Sequence, residues 1–278
     1  MTNAASLREF LRSRRAAIDP AKAGLPRSAV VRRKPGLSRE ELAVLAGVSV
    51  HYYARLEQGR VGNVSNQVLT AVEDALHLDE LERAHLRSLI APGQRDAPAT
   101  RPQRIKARPA VRRLLDAMDA VPAILQGPRL EVLATNRAAR VLLADFDAMP
   151  VADRNIARWL FLDPTARVVY PQWNEVAAPV AATLRANLNP HSDDAELEQL
   201  VAELTSASED FARFWADYRL YRHGHGVKQF FHEPVGTMTL NYETLDVPGH
   251  EGLFISTYTA DVGSPSAEKL HRLLTADR

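Results

Sequence analysis

Residues 37–60 read LSREELAVLAGVSVHYYARLEQGR, and this stretch decides how the first third of the chain folds and what it can touch. Two short helices crossing at a tight turn need a small residue at the crossing and a turn residue tolerant of left-handed backbone angles. They also need an apolar plug behind the turn and apolar anchors on the second helix. Ala43 is the small residue, Gly47 the turn and Val48 the plug; Ser49 stands at the N-cap, with Tyr53 and Leu56 as anchors. The anchors dictate which face is left over. His51, Arg55 and Gln58 follow one another at i, i+4 and i+7 and point away from it. A planar guanidinium suits a guanine edge in the major groove, and imidazole and amide groups both donate and accept. Arg39 at the start of the first helix, with Tyr52 and Arg60, is placed for phosphates, and Val50 beside the cap is placed for a thymine methyl. The spacing predicts a helix-turn-helix whose second helix reads double-stranded DNA.

The same pattern runs outward in both directions. Ser38 with Glu41, and Asp79 with Glu82, have the spacing of reciprocal helix caps, and the apolar period stays helical to residue 90. Upstream, Leu7, Phe10, Leu11 and Ile18 share one face of a helix over 4–18. Pro20, Gly24, Pro26, Pro35 and Gly36 make 19–36 a loop, whose Lys22, Arg27, Arg32, Arg33 and Lys34 either reach a nucleic-acid backbone or simply solvate the chain. Residues 91–110, APGQRDAPATRPQRIKARPA, are rich in Pro and Arg and poor in apolar side chains, which predicts a linker. The chain thus divides into a DNA-binding domain at 1–90, the linker at 91–110 and a second domain at 111–278.

Past the linker the character changes. A helix at 111–118 precedes short strands at 123–125 and 130–135 about the Gly127-Pro128 turn, and a helix over 137–143 follows. Residues 155–218 keep 3.6-residue spacing, as in Phe211, Phe214, Trp215 and Tyr218. From 226 to 260 the period becomes two, with Met238, Leu240 and Tyr242 alternating with Thr239, Asn241 and Glu243, and Leu253, Ile255 and Thr257 in a further strand. This predicts a three-stranded antiparallel meander closed by a helix from Ser266.

Composition narrows the function classes. No apolar run approaches the ~18–20 residues that span a bilayer, and the charged opening MTNAASLREF is not that of a secretory signal. Cysteine is absent, which excludes disulfides, thiolate metal sites and thiol nucleophiles and fits a cytoplasmic protein. The net charge of +1 conceals a division: residues 1–115 hold 21 basic against 11 acidic side chains, and residues 116–278 hold 14 against 23. The front of the chain is built to meet a polyanion and the back is not. No phosphate loop, nucleophile elbow or carboxylate pair argues for an enzyme. The rival reading is a metal-dependent enzyme using His223, His225 and His232 beside Glu233, although an extended strand puts His232 on the face opposite the other two.

Two resemblances follow from these residues. GVS…LEQGR resembles the XRE (lambda-repressor-like) helix-turn-helix class. VPAILQGPRLEVLATNRAARVL, NIARWLFLDPTARVVYPQW, GHGVKQFFHEPVGTMTLNYETL and TADVGSPSAEKL resemble, in that order, the MmyB-like transcription regulators. The resemblance implies an all-α lambda-repressor-like domain followed by an α+β PAS-like domain. In the latter an antiparallel sheet and helices enclose a cavity for a small apolar, fatty-acid-like ligand, with no cofactor. Val50 and Tyr52 depart from the usual recognition helix, so no operator is implied. In a PAS-like frame Asn136 ends the second strand and either ties a loop or touches ligand. Arg137, Arg158 and Arg222 are candidate cations for an acidic head group, and Phe161, Trp173, Phe214, Trp215 and Phe231 are candidates for the cavity wall or for plain core. The expected partners are a double-stranded operator, the ligand and a second copy of the chain. A C-terminal domain that only dimerises remains the alternative.

Overall fold

The computed structural model describes residues 3–21, 23, 36–90, 106–188, 194–221, 224–249 and 252–276, and they form two compact units. Most of the linker, the loop cations Lys22, Arg27, Arg32, Arg33 and Lys34, and Arg222 and His223 lie outside the described residues.

The first unit is all helix: α1 (Asn3–Ala17), α2 (Arg39–Leu45), α3 (Val50–Glu57), α4 (Asn66–Ala75) and α5 (Glu80–Ile90). Its helices begin where side chains can satisfy the orphan amides of a first turn. Ser38 and Glu41 cap α2 reciprocally, Asp79 and Glu82 do the same for α5, and Ser49 and Ser65 accept from the amides of Tyr52 and Val68. The apolar stripes meet in one core of Leu7, Phe10, Leu11, Leu42, Ala43, Tyr53, Leu56, Val72 and Leu86, all buried. Three glutamates are buried with them, and each is answered by arginines. Glu57 is held by Arg39 and Arg15, Glu73 by Arg83 and Arg87, and Glu82 by Arg14. A buried carboxylate without such partners costs several kcal/mol, so these pairs fix how the helices cross.

The second unit opens with α6 (Pro109–Ala117), whose Pro109 stands in the first turn, where no amide is missed. There follow β1 (Ala123–Gln126), β2 (Val132–Thr135), α7 (Arg137–Leu142) and short 3-10 turns at Phe146–Ala148 and Val151–Asp153. The helices α8 (Ile156–Leu162), α9 (Thr165–Val169), α10 (Trp173–Asn187), α11 (Ala195–Ala207) and α12 (Glu209–Ala216) come next. The chain closes with β3 (His225–His232), β4 (Gly236–Asp246), β5 (Phe254–Thr259) and α13 (Pro265–Ala276). The expected meander β3-β4-β5 is present, as part of a five-stranded antiparallel sheet ordered β2-β1-β5-β4-β3. The early hairpin joins the late one through β1 on β5, with Ile124 opposite Ser256 and Gln126 opposite Phe254.

Register sorts the side chains to two faces. Ala123, Leu125 and Ile255 pack against Val111 and Leu115 of α6 on one side. The other face carries Phe230 opposite Met238, Lys228 opposite Leu240, and Tyr242 opposite Tyr258. Tyr170, at the end of α9, meets the Phe230 ring there at 5.1 Å between centroids. Among the described residues no helix is long and apolar enough to cross a membrane.

Candidate functional site

The turn between α2 and α3 is built as its residue types require. Gly47 takes φ +64°, its amide and that of Val48 return to the carbonyls of Val44 and Ala43, and Ala43 is buried at the crossing. With Tyr53 and Leu56 fully buried, His51 and Arg55 are exposed on the opposite side of α3, Val50 is exposed at its start and Arg60 just beyond its end. Tyr52 and Gln58 are half-buried beside them, and Gln58 is the C-cap. Ser49 is exposed, and its hydroxyl caps the helix by accepting from Tyr52. The Arg55 guanidinium donates one bond to the Arg60 carbonyl at 3.2 Å. Gly59 ends the segment at φ +67°, where a Cβ would come within 2.9 Å of the Ala4 Cα.

Arg39 is not a free surface cation. It binds Glu57 at 2.7 Å, and that bond, together with the carboxylate's charge, holds its pKa above the usual arginine value. With its side chain 45% exposed, it keeps an edge toward solvent while steadying the base of α3. Glu57 itself was not singled out from the sequence. It stands at i+4 from Tyr53, on the buried stripe, and that spacing is the signal that marks it.

In the second unit four of the aromatic candidates come together in one ring cluster, with Phe161 and Trp173 buried and Phe214 and Trp215 half-buried. Phe161 meets Trp173, Phe211 and Phe214 edge-on, with centroids 5.5, 5.0 and 6.4 Å apart, and Phe211 stacks on Trp215 at 5.5 Å. Arg167 lies over the Trp173 ring, and Arg185 over those of Trp215 and Tyr218, so the faces left by ring packing are closed by cations. Arg158 is engaged by Glu203 and the Ala152 carbonyl. Phe231 follows Phe230 on the strand and so stands on the opposite sheet face, half-buried.

Asn136 is saturated by backbone. Its oxygen accepts from the amides of Ala123 and Ala139, and its nitrogen donates to the carbonyls of Leu115, Met118 and Val121. It caps α7 and ties α6 to β1, which leaves no polar atom to offer a ligand. His225 is exposed at one end of β3 and His232 lies at the other, roughly 23 Å away at ~3.3 Å per residue. The His232 ring donates to the Leu142 carbonyl, so the two cannot share a metal ion. The histidine-cluster reading is corrected on that geometry.

Two of the cavities among the described residues of this unit bear on ligand binding. One, of about 350 Å³, lies between α7, β5 and α13 and is mostly apolar, with Val121, Tyr258, Leu270 and Leu274 in its wall. Arg137, alone among the described ligand candidates, lines it, with its guanidinium near Asp119 and donating to the Leu274 carbonyl. The other, of about 110 Å³, lies between β3, β4 and α10 and is lined by Gln172, Glu175, Val176, Tyr221, Lys228 and Tyr242. Lys228 was not foreseen, although its place two residues before Phe230 puts it on the helix-facing side of β3. Its ammonium lies 4.3 Å from the Tyr242 ring centre and 5.8 Å from that of Tyr258. Burial pulls its pKa down to about 8.

Comparison with known families agrees with both halves of this description. Residues 6–86 match a helix-turn-helix domain, and residues 107–274 match the MmyB-like transcription regulator ligand binding domain. No curated protein matches the chain. A helix-turn-helix that leaves a polar ridge exposed, followed by a domain of this kind over most of the remaining chain, makes the protein a DNA-binding transcription regulator with a ligand-binding domain, and it belongs to the MmyB-like transcription regulators.

Proposed function

We propose that the protein is a cytoplasmic, sequence-specific regulator that binds its operator as a homodimer and responds to a small apolar, fatty-acid-like ligand in a PAS-like C-terminal domain. The observation that carries the DNA reading is the exposure of His51 and Arg55 on a helix whose other face is closed by Tyr53 and Leu56. Arg55 reads a base, with His51, Gln58 and Val50 beside it; Arg60, Tyr52 and the outer edge of Arg39 take phosphates, and Ser49 sets the start of the reading helix. Two such helices in successive major grooves require half-sites about 34 Å apart. The 350 Å³ cavity, with its apolar wall and Arg137, is the seat we assign to the ligand, since such sites are mostly apolar with few polar groups. Ligand shifts the placement of the reading helices and changes operator affinity, a coupling of ~1–3 kcal/mol in systems of this kind.

The test is selection of binding duplexes from a random library with the full chain, followed by anisotropy titrations on the winners with and without decanol. Enriched duplexes carrying paired half-sites, with affinity altered by decanol, are expected. No enrichment over random sequence would end the sequence-specific reading. The close packing of Phe161, Trp173, Phe214 and Trp215 favours a second reading, in which the C-terminal unit dimerises and binds nothing small. Native mass spectrometry of the purified protein separates the two: a dimer that acquires no mass from decanol supports the second.

A further inference from the structure

Lys228 stands out among the charged groups of the second unit. Its ammonium lies 4.3 Å from the Tyr242 ring centre and 5.8 Å from that of Tyr258, and among the described residues no carboxylate lies within ion-pair distance of it. Arg137, Arg158, Arg167 and Arg213, by contrast, each have an acidic partner. A cation held this way keeps the attraction of the Tyr242 and Tyr258 ring faces but, half-buried, has lost part of its water. What it lacks is an anion.

The space for one is next to it. The cavity of about 110 Å³ has Lys228 and Tyr242 in its wall, with Val176 and Pro179 of α10 opposite. Tyr221 and Tyr242 share a hydrogen bond of 2.7 Å at its side, which fixes the Tyr242 ring under the ammonium. We infer that Lys228 is the anchor of a second binding site in this domain, one that takes a compact organic carboxylate against the Lys228 ammonium with its carbon skeleton on Tyr242, Val176 and Pro179. The volume excludes a long acyl chain, which needs a space nearer that of the other cavity. Glu175, exposed at the mouth, selects against ligands bearing a second negative charge. The two cavities share no lining residue, although Tyr258, in the wall of the larger, stands 5.8 Å from the ammonium, and the site does not depend on the apolar ligand.

Benzoate is a suitable probe, with benzyl alcohol as its neutral counterpart and phthalate as its dianion. Isothermal titration of the full-length protein at pH 7.0 is expected to give benzoate binding at least tenfold tighter than benzyl alcohol or phthalate, with that preference abolished in Lys228→Met. The chain has five lysines, so ¹³C-dimethylation gives a countable set of signals; with the α-amino signal set apart by its own chemical shift, the lysine signal that titrates lowest reports Lys228 in the wild-type protein. Pairing with benzoate should raise its proton affinity about tenfold or more, so that binding at pH 8.5 takes up protons from the buffer. Should Lys228→Met fold poorly, this wild-type signal decides alone. Benzoate binding unchanged in Lys228→Met, no binding up to high millimolar concentration, or a Lys228 signal indifferent to benzoate would each overturn the proposal. Decanol binding reports on the larger cavity alone, so its failure would count against the apolar-ligand reading and leave the Lys228 result standing.

Discussion

Arg55 and Lys228 are both cations, and their surroundings give them opposite tasks. Arg55 sits in water on an exposed ridge, so its removal should cost the fold little and, on its proposed role as a base reader, cost recognition much. Arg55→Ala is expected to lose ~1–3 kcal/mol on the selected duplex, measured by anisotropy, while random duplex is affected far less. Equal losses on both would remove it from base reading. Lys228 has instead been drawn out of water, and its folded-state value of about 8 lies below the 10.5 of a free lysine. The folded chain therefore gives up this proton first. Between about pH 8 and 10 the unfolded chain binds more protons, and stability rises with pH. Urea melts from pH 7.5 to 9.5 should show that rise in the wild type and not in Lys228→Met; this range stays below the ionisation of Tyr170, Tyr242 and Tyr258, which burial pushes upward. Asn136 gives the sharpest stability prediction. Asn136→Ala strands the buried amides of Ala123 and Ala139 and the Val121 carbonyl, and about 3 kcal/mol or more should disappear from the unfolding of the second unit. A change in ligand affinity with unaltered stability would contradict that structural role.

Helix α3 was legible in the sequence because each of its requirements is local. A cap, a turn glycine and two anchors lie within a dozen residues, and the exposed side follows from the buried one. Gly59 belongs to the same logic at the far end of the helix. Gly59→Ala, strained at φ +67° and pressed on Ala4, should destabilise the first unit by ~1–3 kcal/mol in thermal melts. A neutral substitution there would mean that α1 moves aside without penalty. The strands were legible for the same reason, β3 and β4 through their two-residue alternation and β1 and β2 through the Gly127-Pro128 turn between them. What escaped was whatever depends on contacts distant in sequence. The spacing of Phe161, Trp173, Phe214 and Trp215 marks an apolar face and says nothing of whether rings or a ligand fill it. Likewise, Lys228 reads as an ordinary strand lysine until the register brings Tyr242 and Tyr258 beneath it.

For the whole molecule, the uneven distribution of charge has a measurable counterpart. With basic residues concentrated in the first 115 positions, operator affinity should fall steeply with salt, by ~0.9 logarithmic units per neutralised phosphate for each tenfold rise. A flat profile would contradict an interface that relies on phosphates. The sheet has a different consequence, in time. β1 lies beside β5, a partner well over a hundred residues further along the chain, whereas the first five helices close upon one another, α5 on α1 included, once residue 90 is reached. On a ribosome the reading helices can therefore take shape while the sensor is still waiting for its last strand. On the dimer proposed above, a nascent or prematurely stopped chain would present one finished reading helix, short of the pair an operator needs, before any signal could govern it.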